Sequence, residues 1–203
     1  MFALLSAAAC TLFSNRSPVQ ATLVEACNFI TLTQRAETIF HGRCLQKKEV
    51  ADGKPVPYTE YTFRVIEAVK GLKDPLGKPP ETITVRHAGT RSGKARPDGL
   101  ETAPLRLGLP EYEVGEEVVL FLSRESSLGL CAPIGLSQGK FAVIKKERRA
   151  LVLNIHRNRG LFEATDASAF RDLAEGELEA ARAGQNGLEL KAFLRLCSKV
   201  KER

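Results

Sequence analysis

The most apolar run in the body of the chain is Val118–Leu122, which shows no polar alternation. Five successive apolar residues that favour strands are typical of a strand buried on both faces. Pro110 and Gly115 precede this run, and Gly135 and Gly139 bracket the next crossing of the chain. Glycines of this kind mark sharp bends and close approaches of another backbone. The pattern predicts a small closed β-barrel organised around this strand.

Alternating apolar and polar positions predict the remaining strands. In the clearest case Tyr61, Phe63 and Val65 share one face of a strand, and the polar residues between them share the other. Gly42 is expected to form a bend or bulge in the first strand. The predicted strands cover 39–46, 59–69, 82–86, 118–123 and 140–146, and a sixth segment over 150–155 forms a terminal hairpin with the last of these.

Helical periodicity appears at both ends of the strand region. Apolar residues at 32, 36 and 39 predict a short amphipathic helix over 32–39. Residues 166–185 are weakly amphipathic, and the stretch 188–200 is strongly so. In that last helix, one face is expected to carry Leu190, Phe193, Leu194, Cys197 and Val200. The fold predicted from these patterns is mainly β: a five-stranded OB-type barrel with a terminal β-hairpin and a C-terminal helix.

The N-terminal residues predict export. An apolar run over 2–13 has the length of a signal-peptide core, and Val19-Gln20-Ala21 supplies the small residues of a cleavage site. The prediction is a signal peptide over 1–21 and one domain over 22–203, either secreted or in the periplasm or cell envelope. Lipoprotein processing at Cys10 and an apolar core helix are the alternatives. No transmembrane span is predicted.

Removal of residues 1–21 leaves four cysteines: Cys27, Cys44, Cys131 and Cys197. Four cysteines in an exported chain predict two disulfides, which the sequence alone allows in three pairings. Their spacing matches no zinc motif, so no metal or other cofactor is expected.

The chain has 203 residues and a formal charge of +6, with both signs interleaved along its length. Aromatic residues make up 6% of it, with no Trp, so the cationic groove with exposed aromatics that binds single-stranded nucleic acid is not indicated. The polar stretch from His87 to Gly108 is predicted to be a long loop, and such loops often bind partners.

The order of motifs resembles the netrin-like module, an OB-type barrel shared by tissue inhibitors of metalloproteinases, complement C-terminal modules and other secreted proteins. The resemblance rests on residues 36–43, 58–71 and 82–86. The stretches that begin Gly108-Leu-Pro and Gly135-Leu-Ser are more similar still to uncharacterised bacterial exported proteins with the same barrel. The resemblance to the metalloproteinase inhibitors implies a disulfide between Cys27 and Cys197, which leaves Cys44 to pair with Cys131.

In the metalloproteinase inhibitors, a Cys at the mature N-terminus chelates the zinc of the target. Here the predicted mature chain begins at Thr22, five residues before Cys27, which argues against that route. Any partner is expected to contact the segment Thr22–Asn28 and the long loop instead. The predicted partner-binding residues are Thr22, Glu25, Arg91, Lys94, Arg96 and Arg106.

No catalytic motif emerges from the titratable residues. His41 and Cys44 lie three apart on a strand and point to opposite faces, and His41, His87 and His156 lack metal-ligand spacing. The predicted function is a non-catalytic exported or envelope module that binds a protein. One alternative is an inhibitor of extracellular metalloproteases, and the others are a hydrolytic enzyme and an oligonucleotide-binding barrel.

Overall fold

A computed structural model of the protein describes residues 25–51, 56–74, 76–91, 108–147, 149–163 and 187–201. The predicted signal peptide and the weakly amphipathic stretch 166–185 lie outside these residues. In chain order the elements are α1 (Phe29–Arg35), β1 (Thr38–Val50), β2 (Tyr58–Lys70), β3 (Thr82–Ala88), β4 (Glu117–Leu122), a 3₁₀ turn (Leu136–Gly139), β5 (Lys140–Lys146), β6 (Arg149–Leu153), β7 (Leu188–Glu189) and α2 (Leu190–Lys201).

The strands form one antiparallel sheet of seven, in the order β3-β2-β1-β4-β5-β6-β7. The mainly-β class is therefore confirmed. All six predicted strands are present with shifted ends, whereas the two-residue strand β7 was not predicted. Within the described part of the chain, no helix is long and apolar enough to cross a lipid bilayer.

Strand β4 lies at the centre of the sheet and is buried on both faces, as its apolar run predicted. Val118, Leu120 and Leu122 pack into a first core cluster, here called the strand cluster. Val119 and Phe121 point the other way, into a second one, here called the helix cluster. None of these five side chains is more than 2% exposed, so the strand stabilises two separate cores at once.

The helix cluster lies on the side of the sheet that α1 and α2 cover. Helix α1 begins at the Asn28 cap, whose side chain accepts a hydrogen bond from the Thr31 N–H at 2.9 Å. Its first residue, Phe29, packs edge-on against Phe193 of α2 with ring centroids 5.5 Å apart. Phe193 also lies 4.8 Å from the ring of Phe141 on β5. The apolar face predicted for α2 is therefore the face that packs on the sheet.

The strand cluster joins β1, β2, β3 and β4. The predicted face of β2 is confirmed here, because Tyr61 and Phe63 are fully buried in this cluster and Val65 packs against it. Gly42 in β1 lies at a register shift against β2, where a Cβ atom would approach the Arg64 carbonyl oxygen to 2.7 Å. The predicted bulge is therefore present, and it requires glycine at this position.

The predicted five-stranded closed barrel is not formed by these strands. Strand β5 pairs with β4 on one edge and, as the predicted terminal hairpin requires, with β6 on the other, so it does not pair with β3. The short segment 130–134 lies between β3 and β4 instead. Its Cys131 N–H donates to the Arg86 carbonyl of β3 at 2.9 Å, and its Ile134 N–H donates to the Phe121 carbonyl of β4 at 2.8 Å.

Both predicted helix boundaries needed correction. The first helix was expected over 32–39, but α1 ends at Arg35 and the chain is already in β1 at Thr38. The start of α2 is later than predicted, because Leu188 and Glu189 pair with β6 before the helix begins. The long polar loop was expected from His87, whereas β3 continues to Ala88.

Candidate binding cleft

The 3₁₀ turn between β4 and β5 holds the N-terminal segment by a single side chain. The Cys27 N–H donates to Oε1 of Gln138 at 2.8 Å, and Nε2 of Gln138 donates to the Glu25 carbonyl at 2.9 Å. The amide of Gln138, which is 9% exposed, thus pairs with the backbone of residues 25–27 as a neighbouring strand would. This clamp fixes the path by which the chain enters α1.

The backbone of this turn has little freedom to move. A Cβ atom at Gly139 would come within 2.8 Å of the Ile134 backbone and 2.9 Å of the Phe121 carbonyl oxygen. Only glycine fits such an approach. The predicted bend at Gly139 is therefore a close contact with β4, and this contact sets where the neighbouring Gln138 side chain lies.

The same turn also contacts the end of the long polar stretch. The Ser137 hydroxyl donates to the Gly108 carbonyl at 3.1 Å, and Leu136 packs against Gly108. Two segments that the sequence predicted as partner-binding, the N-terminal segment and the stretch that ends at Gly108, are thus attached to one short turn.

A strained loop lies beside the clamped segment, over residues 154–163. The Asn154 N–H donates to Oδ1 of Asn158 at 2.9 Å, and the Asn158 N–H donates to Oδ1 of Asn154 at 2.8 Å. The Asn158 amide also donates to the Val152 carbonyl at 2.9 Å. Within this frame Arg157 and Asn158 have φ values of 55° and 61°, which is unusual for residues other than glycine. Such strain persists where surrounding contacts fix it, and it is frequent at functional sites.

Between the clamped segment and this loop lies an open cleft of about 730 Å³. Its lining includes Cys27, Gln138, Ile155, Arg157 and Arg159. Ile155 is 68% exposed, and both arginines are exposed as well. Neither guanidinium has an acidic partner among the residues that the structure describes.

The cysteine at this cleft is not arranged as a nucleophile. The Cys27 side chain is 9% exposed, and burial raises the pKa of its thiol, so the thiol stays protonated at neutral pH. Burial likewise raises the pKa of Cys131 to about 11 and raises that of Cys44 and Cys197. The described thiols thus resemble core cysteines.

All four cysteines are free thiols in the structure. Cys27 and Cys197 belong to the helix cluster, and Cys44 and Cys131 belong to the strand cluster. The two predicted pairings therefore each join cysteines of the same cluster, and they stay predictions.

A second polar constellation lies in the strand cluster. Nδ1 of His87 is 2.9 Å from the Cys131 carbonyl oxygen, and Nε2 is 3.0 Å from the Tyr112 hydroxyl. Because a carbonyl oxygen only accepts, Nδ1 carries the proton and the Tyr112 hydroxyl donates to Nε2. Burial lowers the pKa of His87 to about 4, so the imidazole is neutral at pH 7. The pair joins β3 to the residues that lead into β4 and serves a structural role.

A third constellation surrounds Glu117 on β4. Its carboxylate accepts hydrogen bonds from Arg43 and Lys145 at 2.8 Å each and lies 3.0 Å from Nε2 of His41. Burial alone would raise the pKa of Glu117, but these bonds outweigh it and lower the pKa to about 2. This carboxylate is ionised, and its oxygens are bound by three side chains. It therefore belongs to an ion-pair network and is not placed to act as a general base.

The predicted partner-binding residues are only partly brought together. Glu25 belongs to the clamped segment and pairs with Arg35 at 3.4 Å. Arg91 lies elsewhere, at a small cavity of about 40 Å³, where its N–H donates to Glu49 at 3.0 Å. The other four predicted residues lie outside the described part of the chain: Thr22, Lys94, Arg96 and Arg106.

Sequence reasoning missed the residues that shape the cleft. The sequence pattern places Gln138 in a bend between two glycines, and it places only the first two residues of the loop over 154–163 in the terminal hairpin. The only sequence signal was the run Asn154-Ile-His-Arg-Asn-Arg-Gly, in which two asparagines four residues apart precede a glycine. Asparagine tolerates left-handed backbone and bonds to nearby backbone groups, so this run indicates a tight, ordered turn.

Comparison with known proteins identifies no relative from which a role could be transferred. No protein-family model matches the chain, and no curated protein matches it.

Proposed function

We propose that this chain is a non-catalytic exported or envelope module that binds a partner protein at the cleft between the clamped N-terminal segment and the loop over 154–163. The observation that carries the proposal is the built character of this cleft. One wall is held by Oε1 and Nε2 of the Gln138 side-chain amide, and the other is a strained loop fixed by Asn154 and Asn158. Rigid scaffolds that present exposed loops are typical of protein-binding sites.

The chemistry of the described titratable groups supports a non-catalytic role. The thiols are buried and protonated, the His87 imidazole is used in a structural hydrogen-bond pair, and the Glu117 carboxylate is bound by three basic side chains. Of these groups only Cys27 lines the cleft, and burial raises the pKa of its thiol, so it stays protonated there. The exposed arginines and Ile155 instead offer contact surface.

The proposal includes a barrel-type closure of the strand cluster. The hydrogen bonds that Cys131 and Ile134 make to β3 and β4 support the segment 130–134 as a short fifth strand, in place of β5. Such a closure is consistent with the netrin-like resemblance. It leaves the interior filled by side chains such as Phe63 and Tyr112, which are fully buried, so binding falls to the surface.

Site-specific photo-cross-linking tests this function. A photoreactive benzoylphenylalanine placed at Ile155 is compared with the same group at Ile66, an apolar residue on β2 that is 49% exposed and lies away from the cleft. In an extract of envelope and secreted proteins we expect a discrete adduct from position 155 alone, and competition by unmodified protein. Equal adducts from both positions, or none from position 155, would refute binding at the cleft.

The identity of the cross-linked protein separates the main function from its alternative. A metalloprotease in the adduct would favour inhibition by occlusion, since the Cys27 N–H is already bound to Gln138 and cannot chelate a metal. In that case the purified chain should slow cleavage of a generic peptide by the captured protease.

A further inference from the structure

The cleft has a charge character that suggests what it binds. This inference rests on the proposed function and names the chemistry of the partner. Several described basic side chains are paired with acidic ones, such as Lys47 with Glu111 and Lys140 with Glu116. Arg157 and Arg159 are not, although both line the cleft. Two guanidinium groups with no acidic partner in a concave site favour an anionic ligand.

The two arginines are presented by a loop that is ordered before anything binds. Arg157 sits at φ 55°, and its N–H donates to the Asn154 carbonyl at 2.9 Å, while the Arg159 N–H donates to the His156 carbonyl at 3.1 Å. An ordered backbone loses less entropy on binding, and the planar guanidinium forks match carboxylates in a bidentate geometry. The strained backbone is thus accounted for if it aims these side chains at a ligand.

The apolar and aromatic residues of the lining favour an acidic peptide over a nucleic acid as the anionic ligand. Ile155 lies between the polar groups and is 68% exposed, which matches an apolar side chain of the ligand. Among the described residues the lining contains no Tyr, Phe or Trp, and its one aromatic ring is the imidazole of His156. Glu163 is the one acidic residue of the described lining, which leaves the arginines in excess there. The volume of about 730 Å³ suits a few residues of peptide.

We propose that the cleft binds a short acidic peptide segment of a partner protein, in which two carboxylates on either side of an apolar residue engage Arg157 and Arg159 while the apolar side chain packs on Ile155. Binding is expected to weaken as salt rises, because the contacts lie at an exposed rim.

The test uses fluorescence anisotropy with a labelled octapeptide that carries Glu-Leu-Glu at its centre. The binding variant is R157E/R159E. The matched control is R64E/R195E, which makes the same change of net charge at two exposed arginines, on β2 and α2, outside the cleft lining. We expect the peptide to bind the wild type and the control alike, and to bind the cleft variant at least about tenfold more weakly.

Two further probes make each outcome decisive. A Gln-Leu-Gln peptide should bind at least about tenfold more weakly than the acidic one, and a labelled ten-residue oligothymidylate should bind more weakly than the acidic peptide. Equal loss in both charge-reversal variants, equal binding of the Gln peptide, or tighter binding of the oligonucleotide would overturn the proposal. The neutral variant R157Q/R159Q repeats the test should charge reversal impair folding, as judged by thermal melting.

The peptide-binding test and the cross-linking test can reject the two proposals independently. A specific cross-link from position 155 without binding of the acidic peptide would reject the acidic chemistry and retain the cleft as a protein-binding site. Absence of both the cross-link and peptide binding would reject both.

Discussion

The buried His87–Tyr112 pair makes the stability of this protein sensitive to acid. His87 is 3% exposed, and its pKa falls from an ordinary 6.5 to about 4 in the fold. A group with a depressed folded pKa binds more protons when unfolded. Its contribution to stability is therefore complete above pH 6.5 and is lost as the pH falls toward 4.

The magnitude follows from the two pKa values. Each unit of pKa difference corresponds to about 1.4 kcal/mol, so the full difference amounts to about 3.5 kcal/mol. Between pH 7 and pH 4.5, linkage predicts a loss of about 2.4 kcal/mol in the free energy of unfolding from this single imidazole. Glu117 adds only about 0.4 kcal/mol in that interval, because its titration in the unfolded chain has just reached its midpoint at pH 4.5.

Urea unfolding at half-unit steps from pH 7 to pH 4.5 would measure this loss in the wild type and in H87F/Y112F. The double variant removes both partners of the Nε2 hydrogen bond together, which avoids leaving one of them unsatisfied. Its stability at pH 7 should fall by about 1–3 kcal/mol, because the Cys131 carbonyl loses its donor. Its pH dependence should be flatter by about 2.4 kcal/mol over the same range.

The exposed His156 supplies the control. H156Q also removes one imidazole, and it is unfolded in urea under the same conditions for comparison. A double variant whose stability falls with pH as steeply as that of the wild type would refute the assignment of His87 as a buried neutral imidazole.

Three further predictions concern other parts of the molecule. E117Q should lower the free energy of unfolding by about 2 kcal/mol at pH 7, because the carboxylate is bound by three basic groups. The difference from the wild type, measured in urea, should shrink as the pH falls from 4.5 toward 2. R157G should raise stability by about 0.5–1 kcal/mol, because glycine adopts the observed φ of 55° without strain, and a loss of stability would refute strain at this position. Non-reducing peptide mapping of exported protein should link Cys27 to Cys197, whereas a link from Cys27 to Cys44 would contradict the predicted pairing.

Local periodicity predicted the elements of the fold well. The alternation of Tyr61, Phe63 and Val65 and the uninterrupted run of β4 each depend on which faces of one strand are buried. That information is written in consecutive residues. Strand pairing is not local, which is why the sequence does not indicate that β5 also pairs with β4 or that the two-residue strand β7 forms. Leu188 and Glu189 pair with β6 across more than thirty residues, and their own sequence favours the helix that follows.

The candidate cleft escaped sequence reasoning for the same reason. The bond from Cys27 to Gln138 joins residues 111 positions apart, and no pattern around either residue indicates the other. The chemistry of Arg157 also depends on its backbone, which the reciprocal bonds of Asn154 and Asn158 hold in a left-handed conformation. A basic residue in a polar loop carries no such information by itself.

The turn at Gly135–Lys140 contacts both the core strand β4 and the segments beside the candidate cleft. Sequence reasoning selected its glycines as markers of the barrel, and the structure shows Gly139 packed directly on the backbone of β4. That contact places the preceding Gln138 under the N-terminal segment, and the neighbouring Ser137 contacts Gly108. The constraint that shapes the core is therefore also the one that positions the surface segments. A change in how β4 packs would be transmitted to the cleft through a few backbone atoms, because close-packed interiors shift together rather than absorb displacement.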